Sequence, residues 1–583
     1  MKRKGDFTNL QIAELLRDVA AGYRLKGEDK YKFRIIAYDR AADAVEHATS
    51  ELKDLWDDGK LEDVPGIGPS ISAHLDELFR TGRSRHFEEI TKDIPPEAFK
   101  LMQLPGIGIK TAMKMLKEGD KKEVAEKLKE VKALQAKNKR LLLPIATQIA
   151  TDIINYLSKD KSVMRIDPLG SLRRKASTIG DIDIAVASSN PKSVLQKFVK
   201  YPKSQKVIEK GDHTASILLP GDIRVDLMVQ SEDSYGALLQ HFTGSKHHNI
   251  ALREFALKKG FSLSEYGIKK VRGEDLSTGK VGQKVKAFKT EQEFYKYLGL
   301  EYIEPELRED TGEIEAALRQ AQGKPGGLPK LIELGDVRAD LQIHSSFDVE
   351  TSHDLGESSM EEIVQKGNEL GYEYLAFTDH NPSQVKHNES QILDILKRKR
   401  EKVEQINYSI KRDNVGSIKK VFNSLEIDIK PDGTLPVPNS GMSTLDFALV
   451  SIHSSFHLER NIQTKRVLSA LSHPKVKIFA HPTGRLLEKR EGAELNWPEI
   501  FDFCLKNGKW IEINCDPMRL DLPDSLVREA VKLGVKLTLG TDAHHKDGMN
   551  NMIWGVSVAR RGWCQKSDII NTLNLLEFEK LIK

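Results

Sequence analysis

Seven short apolar runs in the C-terminal part of the chain each carry a His, Asp or Glu at the end. They read ADLQIH (to His344), YLAFTDH (to His380), VFNSLEIDI (holding Glu426 and Asp428), FALVSIH (to His453), KIFAHP (His481), WIEIN (Glu512) and KLTLGTDAH (Asp542 and His544). Imidazole nitrogens and carboxylate oxygens suit Mn²⁺, Zn²⁺ or iron. Seven such ends point to a polynuclear metal site and a metal-dependent hydrolase. A second group lies upstream. In GDIDIAVA, Asp181 and Asp183 are two residues apart and share one face of a strand, while Ile182 and Ile184 take the other. In IRVDLMV, Ile223, Val225, Leu227 and Val229 alternate with Arg224, Asp226 and Met228. If the two strands are neighbours, Asp226 completes a cluster of three carboxylates. Such a cluster repels itself unless divalent cations occupy it. Two cations about 4 Å apart serve in-line phosphoryl transfer, one acidifying the attacking hydroxyl and the other holding triphosphate oxygens. Just upstream, Gly170-Ser171 offers a turn for close approach, and Arg173 and Arg174 offer charge for a triphosphate.

These groups need elements to position them. The C-terminal runs are short, β-branched and separated by helix-length segments, which predicts parallel strands joined by crossover helices. Side chains at the C-terminal ends of such strands gather at one mouth of a barrel. Residues 8–60 have helical periodicity, and 120–158 are helical and Lys-rich. Between them lies a repeat: VPGIGPSISAHL and LPGIGIKTAMKML share apolar-Pro-Gly-Ile-Gly, forty residues apart. A two-glycine turn before a helix brings backbone N–H groups and the positive end of the helix dipole to a phosphate. This is helix-hairpin-helix logic, a grip on a DNA backbone that ignores sequence. It singles out Gly66, Gly68, Gly106 and Gly108, with Lys110 adding a cation. From residue 163 short strands take over, and RQAQGKPGGLPK (319–330) has the composition of a linker.

The totals are permissive. A chain of 583 residues needs several domains. It is 39% hydrophobic and 30% charged, as expected of a soluble protein. With 90 basic and 86 acidic residues the net charge is only +4, so any basic nucleic-acid surface must be local. Cys504, Cys515 and Cys564 form neither a ligand spacing nor a disulfide framework, which suits a reducing compartment. The start lacks the apolar core of a signal peptide and no run reaches membrane-spanning length. A cytoplasmic protein, associated with the nucleoid through DNA, is expected.

Taken together, the two hairpin turns, the Gly-Ser…Asp-x-Asp…Asp constellation, HFTGSKHHNIALR (241–253) and the His-rich C-terminal runs resemble one family in order and length. It is the bacterial and archaeal type of family X DNA polymerase, which carries a C-terminal PHP (polymerase and histidinol phosphatase) domain. HFTGSKHHNIALR is similar to that family's Tyr-Phe-Thr-Gly-Ser segment beside the incoming nucleotide. The resemblance implies a multidomain α+β and α/β chain. Its parts would be a helical helix-hairpin-helix region (1–88), a fingers-like helical domain with the second hairpin (89–150), a nucleotidyltransferase palm (151–234) and a thumb (235–318). After a linker (319–335) would come a seven-stranded TIM-like PHP barrel (336–583).

The resemblance also implies roles. Asp181, Asp183 and Asp226 would hold two Mg²⁺ or Mn²⁺ ions. Gly170, Ser171, Arg174 and Gly180 would hold phosphates, Phe242 and Gly244 would line the sugar pocket, Asn249 would meet the nascent pair and Arg253 the template. His344, His380, Glu426, His453, His481, Asp542 and His544 would hold up to three Mn²⁺ or Zn²⁺ ions. From their places just beyond strand-end motifs, Arg485 and Arg519 are candidate phosphate clamps. The expected partners are gapped or primed double-stranded DNA and deoxynucleoside triphosphates, no membrane, and a monomeric state. The expected activity is short-gap filling in repair, with 3′–5′ exonuclease and abasic-site cleavage in the barrel; the alternative is a barrel that is a phosphatase or degenerate. Three departures stand out. His241 replaces the family's Tyr. His74 and Ser70 stand where polymerase beta has its lyase lysines, so no Schiff-base lyase is expected. Gln342 replaces the first His of the barrel's opening His-x-His, and Asp348, Glu350 or His353 is left to supply a missing ligand.

Overall fold

A computed structural model of the chain describes residues 9–46, 61–64, 66–102, 107–118, 140–270 and 285–583, together with Phe7, Leu52, Trp56, Val124 and Lys127. It forms two compact units, 1–139 and 140–583.

The first unit is helical. Two helices joined by a kink at Gly27–Tyr31 span Asn9–Glu46, and the first buries Ile12, Leu16, Val19 and Tyr23. The helices Pro69–Thr81 and Arg85–Thr91 pack on it through Ile71, Leu75, Leu78 and Phe87. Gly68 caps the helix Pro69–Thr81, where Pro69 fits the first turn because its missing N–H would have no helical partner. The helices Pro96–Leu101 and Ile109–Glu118 form a smaller core around Leu101 and Ile109.

The second unit begins with a five-stranded mixed sheet: β1 (Val163–Pro168), β2 (Ile182–Ser188), β3 (Lys206–Lys210), β4 (Thr214–Leu219) and β5 (Ile223–Gln230). The order is β1-β2-β5-β4-β3, and the central pair β2–β5 is parallel. Strict alternation decides the faces. Val225, Leu227 and Val229 are buried with Ile182, Ile184 and Val186 against the helix Leu143–Leu157, and the acidic residues face away. Helices Tyr235–Thr243, Lys246–Lys258 and Glu291–Tyr297 follow, held together by Phe294, Tyr295, Leu252 and Ile303.

Eight further strands are all parallel to their neighbours. A three-stranded sheet holds β6 (Ala339–Ile343), β7 (Tyr374–Phe377) and β8 (Lys420–Asn423). A five-stranded sheet holds β9 (Glu426–Asp428), β10 (Ala448–Ser451), β11 (Val476–Phe479), β12 (Trp510–Asn514) and β13 (Leu537–Gly540). The run VFNSLEIDI thus contributes two strand segments. The sheets touch at both ends: His380 bridges Glu426, and Ile343 bridges Ala543. Asp542 N–H donates to Gln342 O and His344 N–H to Ala543 O, each at 2.9 Å. All eight strands are buried almost throughout, which is why they read as continuous apolar runs. The linker-like segment does not stand apart. Ile332 N–H donates to Cys564 O, and Leu331 bridges Gln565. Among the described residues, no helix is long and apolar enough to cross a membrane.

Candidate functional site

The first site sits where β2 and β5 lie side by side. Asp183 stands directly opposite Asp226, and Asp181 immediately precedes β2. Asp183 feels both: burial first, then Asp226 and Asp181, push its carboxyl up to about 6. Arg224 Nε donates to Asp226 Oδ1 at 2.9 Å and partly offsets the repulsion. Gly170 begins a single helical turn, Gly170–Arg173, just after β1, at φ 56°. A Cβ there would lie 2.7 Å from Asp183 Oδ2 and push that carboxylate aside, and the positive φ also favours glycine. Leu169 N–H donates to Asp183 O at 2.8 Å and fixes that approach. Ser171 lies in the same turn, and Gly180 is exposed just before Asp181. Three carboxylates converge beside a backbone turn and a cation: a donor set of hard oxygens that fits Mg²⁺ or Mn²⁺.

The two arginines separate in role. Arg173 is bound to buried Glu291 through both Nη atoms, at 3.0 and 2.5 Å, and donates to Thr243 Oγ1. Glu291 also accepts from fully buried Arg308 at 2.6 Å. Burial works against ionised Glu291, yet Arg308 and Arg173 hold it down to about 2. Arg173 is therefore a clamp between the sheet and the following helices, and this corrects its reading as charge for a triphosphate. Arg174 lies beside the site. Its Nη1 donates to Thr243 O at 2.6 Å and its Nε to Glu309 at 2.9 Å. Gly244, at φ 70°, would place a Cβ 3.1 Å from Arg174 Nη1, which ties the HFTGS turn to this arginine. Phe242 packs on the core of Leu169, Ala185 and Tyr235. Asn249 Nδ2 donates to His241 O at 2.7 Å and Gln240 Nε2 donates to Asn249 Oδ1 at 2.9 Å. Arg253 is exposed, 3.5 Å from His241 Nδ1.

The second site lies at the C-terminal ends of β6–β13. Four overlapping groups have ligand atoms within 4.8 Å of one another: His344, His380 and His544; His353, His380 and His453; Glu426, His453 and His481; and His344, Glu426 and Asp542. All seven ligand residues named from the sequence are present, and His353 joins them. Of the three residues left open, Asp348 is exposed, and Glu350 is paired with His387 and Arg398 at 2.8 and 2.9 Å. His353 stacks on His380 at 4.6 Å between ring centroids and bonds to Asp428 at 2.7 Å.

Around this cluster, side chains aim the ligands. Asp428 takes His353 Nε2 and, at 2.6 Å, His453 Nδ1, fixing two rings at once. Gln342 donates its amide to Glu426 at 2.8 Å, and so faces the cluster with its nitrogen. Arg519 Nε is 3.4 Å from Asp542, whereas Arg485 is occupied with the carbonyls of Arg519 and Leu520. Burial disfavours charge at His344, but Asp542 and Glu426 raise it to about 10. Burial likewise opposes ionised Glu426, yet His481 and His380 hold it well below the usual range. His380 is lowered, first by burial and then by His344. The buried Nδ1 atoms of His344, His380 and His481 have no hydrogen-bond partner among the described residues. Orphaned buried nitrogens beside two carboxylates are the donor set of a cation site, and the residues present fit Mn²⁺ or Zn²⁺.

In the helical unit, Gly66 has φ 93° and Gly68 and Gly108 precede helices, with open space where a Cβ would stand at Gly68 and Gly108. Lys110 pairs with Glu28 at 2.9 Å. Gly106 lies outside the described residues. His74 stacks on His86 at 4.1 Å between ring centroids.

A paired-carboxylate sheet beside a glycine turn, in one chain with an imidazole–carboxylate cluster, is the arrangement of a nucleotidyltransferase accompanied by a second group of possible metal ligands. Comparison with known proteins places it more closely. Residues 238–309 match the DNA polymerase beta thumb and residues 7–84 match a helix-hairpin-helix domain. The chain is 31% identical to the DNA polymerase/3′-5′ exonuclease PolX of Bacillus subtilis (strain 168), over 98% of this chain and 99% of that one. It is 25% identical to DNA polymerase lambda of Rattus norvegicus over 52% of this chain and 56% of that one. For the Arabidopsis thaliana polymerase lambda the figures are 26%, 52% and 62%. The chain belongs to the family X DNA polymerases.

Proposed function

We propose that this chain is a DNA-directed DNA polymerase that fills short gaps in DNA at one metal centre and a 3′–5′ exonuclease at a second. The observation that carries the polymerase reading is the register of Asp183 opposite Asp226, with Asp181 at the strand's start. Asp181, Asp183 and Asp226 would hold Mg²⁺ or Mn²⁺, which when bound neutralises triphosphate charge and acidifies the primer 3′-hydroxyl. Arg174, Ser171 and the backbone at Gly170 and Gly180 then orient the phosphates. Phe242 and Gly244 border the sugar, Asn249 meets the nascent pair and Arg253 the template. The turns at Gly66, Gly68, Gly106 and Gly108, with Lys110, grip the duplex by its phosphates.

We read the two parallel sheets as arcs of one PHP barrel, closed through Ile343–Ala543 and His380–Glu426. His344, His353, His380, Glu426, His453, His481, Asp542 and His544 would hold its Mn²⁺ or Zn²⁺, which when bound polarises a phosphodiester. Asp428 and Gln342 keep the ligands aimed, and Arg519, beside Asp542, would meet the scissile phosphate. The same centre is the natural place for cleavage at abasic sites.

The test is primer extension and degradation on a one-nucleotide-gapped duplex with Mn²⁺. Asp183→Ala should lose extension alone and His344→Ala degradation alone. If His344→Ala leaves degradation intact, the barrel is not the exonuclease. If neither protein degrades DNA, release of phosphate from monoesters would make the barrel a phosphatase.

A further inference from the structure

Arg561 closes the helix Met552–Arg561, in the C-terminal part of the chain, yet its guanidinium is spent on the palm and the thumb. Its side chain is only 9% exposed. Nη1 donates to the carbonyl of Arg174 at 2.8 Å and to Glu309 Oε1 at 2.9 Å, and Nε donates to Asp524 Oδ2 at 2.7 Å. Asp524 is the first residue of the helix Asp524–Leu533, which follows β12. The same Glu309 Oε1 accepts from Arg174 Nε at 2.9 Å. One carboxylate oxygen is thus shared by two arginines, and one of them is the residue read above as a triphosphate contact.

The sharing has a consequence for nucleotide binding. Arg174 is engaged on both sides, by Glu309 and by Thr243 O. Glu309 competes with a triphosphate for Arg174, because it holds Nε of the same guanidinium, and its side chain is 28% exposed. An unpaired carboxylate in such a place is costly. Arg561 removes that cost, because Glu309 keeps a cation after Arg174 turns to the phosphates. Its bond to the Arg174 carbonyl also fixes the backbone from which Arg174 reaches. Asp524 completes the arrangement by holding the far side of the Arg561 fork, as a planar guanidinium allows and an ammonium does not.

We infer that Arg561 is a positioning residue for the polymerase reaction, a cation from the C-terminal domain that retains Glu309 and so releases Arg174 to the incoming nucleotide's phosphates. This rests on the reading of Arg174 as a triphosphate contact. It does not depend on what the barrel hydrolyses.

The experiment measures single-nucleotide gap filling by the full chain over a range of dNTP concentrations. Arg561→Ala should raise KM for the dNTP about tenfold, the size of one charge-assisted contact, with kcat within about twofold. Adding Glu309→Gln to Arg561→Ala should restore KM to within about threefold of the native value, because a neutral amide no longer competes for Arg174. A purely structural role for Arg561 predicts no such restoration. An unchanged KM in Arg561→Ala, or a KM that Glu309→Gln fails to restore, overturns the inference. If Arg561→Ala does not fold, as judged by its melting transition, Arg561→Lys decides: KM should rise less and Glu309→Gln should again restore it. Arg174→Ala separates the layers. If it leaves KM unchanged, the triphosphate reading of Arg174 falls and this inference with it. If it raises KM while Arg561→Ala does not, only the present inference falls.

Discussion

The palm and the cluster on β6–β13 both gather acids at strand ends, but they solve the problem of buried charge differently. In the palm the three ligand positions are all carboxylates, Asp181 is exposed, and their repulsion shows in Asp183. The cluster on β6–β13 is buried at His344, His380, Glu426, His481 and Asp542 and half-buried at His353, His453 and His544; it mixes two carboxylates with six imidazoles, several of them already oriented by hydrogen bonds. An all-oxygen site open to solvent holds cations weakly and gains from the phosphates of a substrate. A buried nitrogen–oxygen site with fixed rings holds them on its own. On this reading, metal at the palm should depend on the nucleotide, and metal in the cluster on the protein alone.

The largest effect should come from the palm's scaffold. Glu291 is the one acid between buried Arg173 and Arg308, and Glu291→Ala strands both cations. It should destabilise the second unit by about 3–5 kcal/mol, measured by denaturant unfolding. Gly170→Val tests the palm's close approach. Its Cβ would displace Asp183, and extension should fall about 100-fold while degradation persists. Asp428→Ala is the matching test in the cluster on β6–β13. Losing the bond to both His353 and His453 should weaken metal binding there about 10–100-fold, read by metal titration, with extension unaffected.

The smallest effect is in pH. Asp183, raised to about 6, takes up a proton in the folded chain as pH falls through about 6, before the unfolded chain does. Where the native state binds more protons, stability falls as pH rises. In metal-free protein this group therefore favours the fold below its unfolded value near 4 and loses that contribution as pH passes 6. Added Mn²⁺ should protect the palm more at pH 7.5 than at 5.5. Thermal melts of native and Asp183→Asn protein should show a larger difference in the native chain than in the variant, whose imidazole cluster supplies the remainder.

How much of this was legible depended on periodicity. Alternation in IRVDLMV assigned Asp226 to the polar face before any pairing was known, because one residue of slip would bury it. The parallel strands were legible because burial on both faces leaves unbroken apolar runs. His353 was not legible. It sits between β6 and the next helix in an irregular loop with two equally suited acids, and only the fold turns Glu350 toward His387 and Arg398. Nor was the pairing of Arg173 with Glu291, or of Arg561 with Glu309. These partners lie 118 and 252 residues apart, and no local pattern links them. Gln342 was legible as a substitution but not in its orientation, which depends on Glu426 and Asn514 across the cluster.

The most direct test of the contrast is the metal retained by protein desalted in metal-free buffer, measured by elemental analysis. Native chain and Asp183→Ala should keep the same metal content, and His344→Ala should lose much of it. Addition of dNTP with Mn²⁺ should then raise the bound metal in native chain but not in Asp183→Ala. Equal loss of retained metal in Asp183→Ala and His344→Ala would contradict the account, because both centres would then hold their ions in the same way.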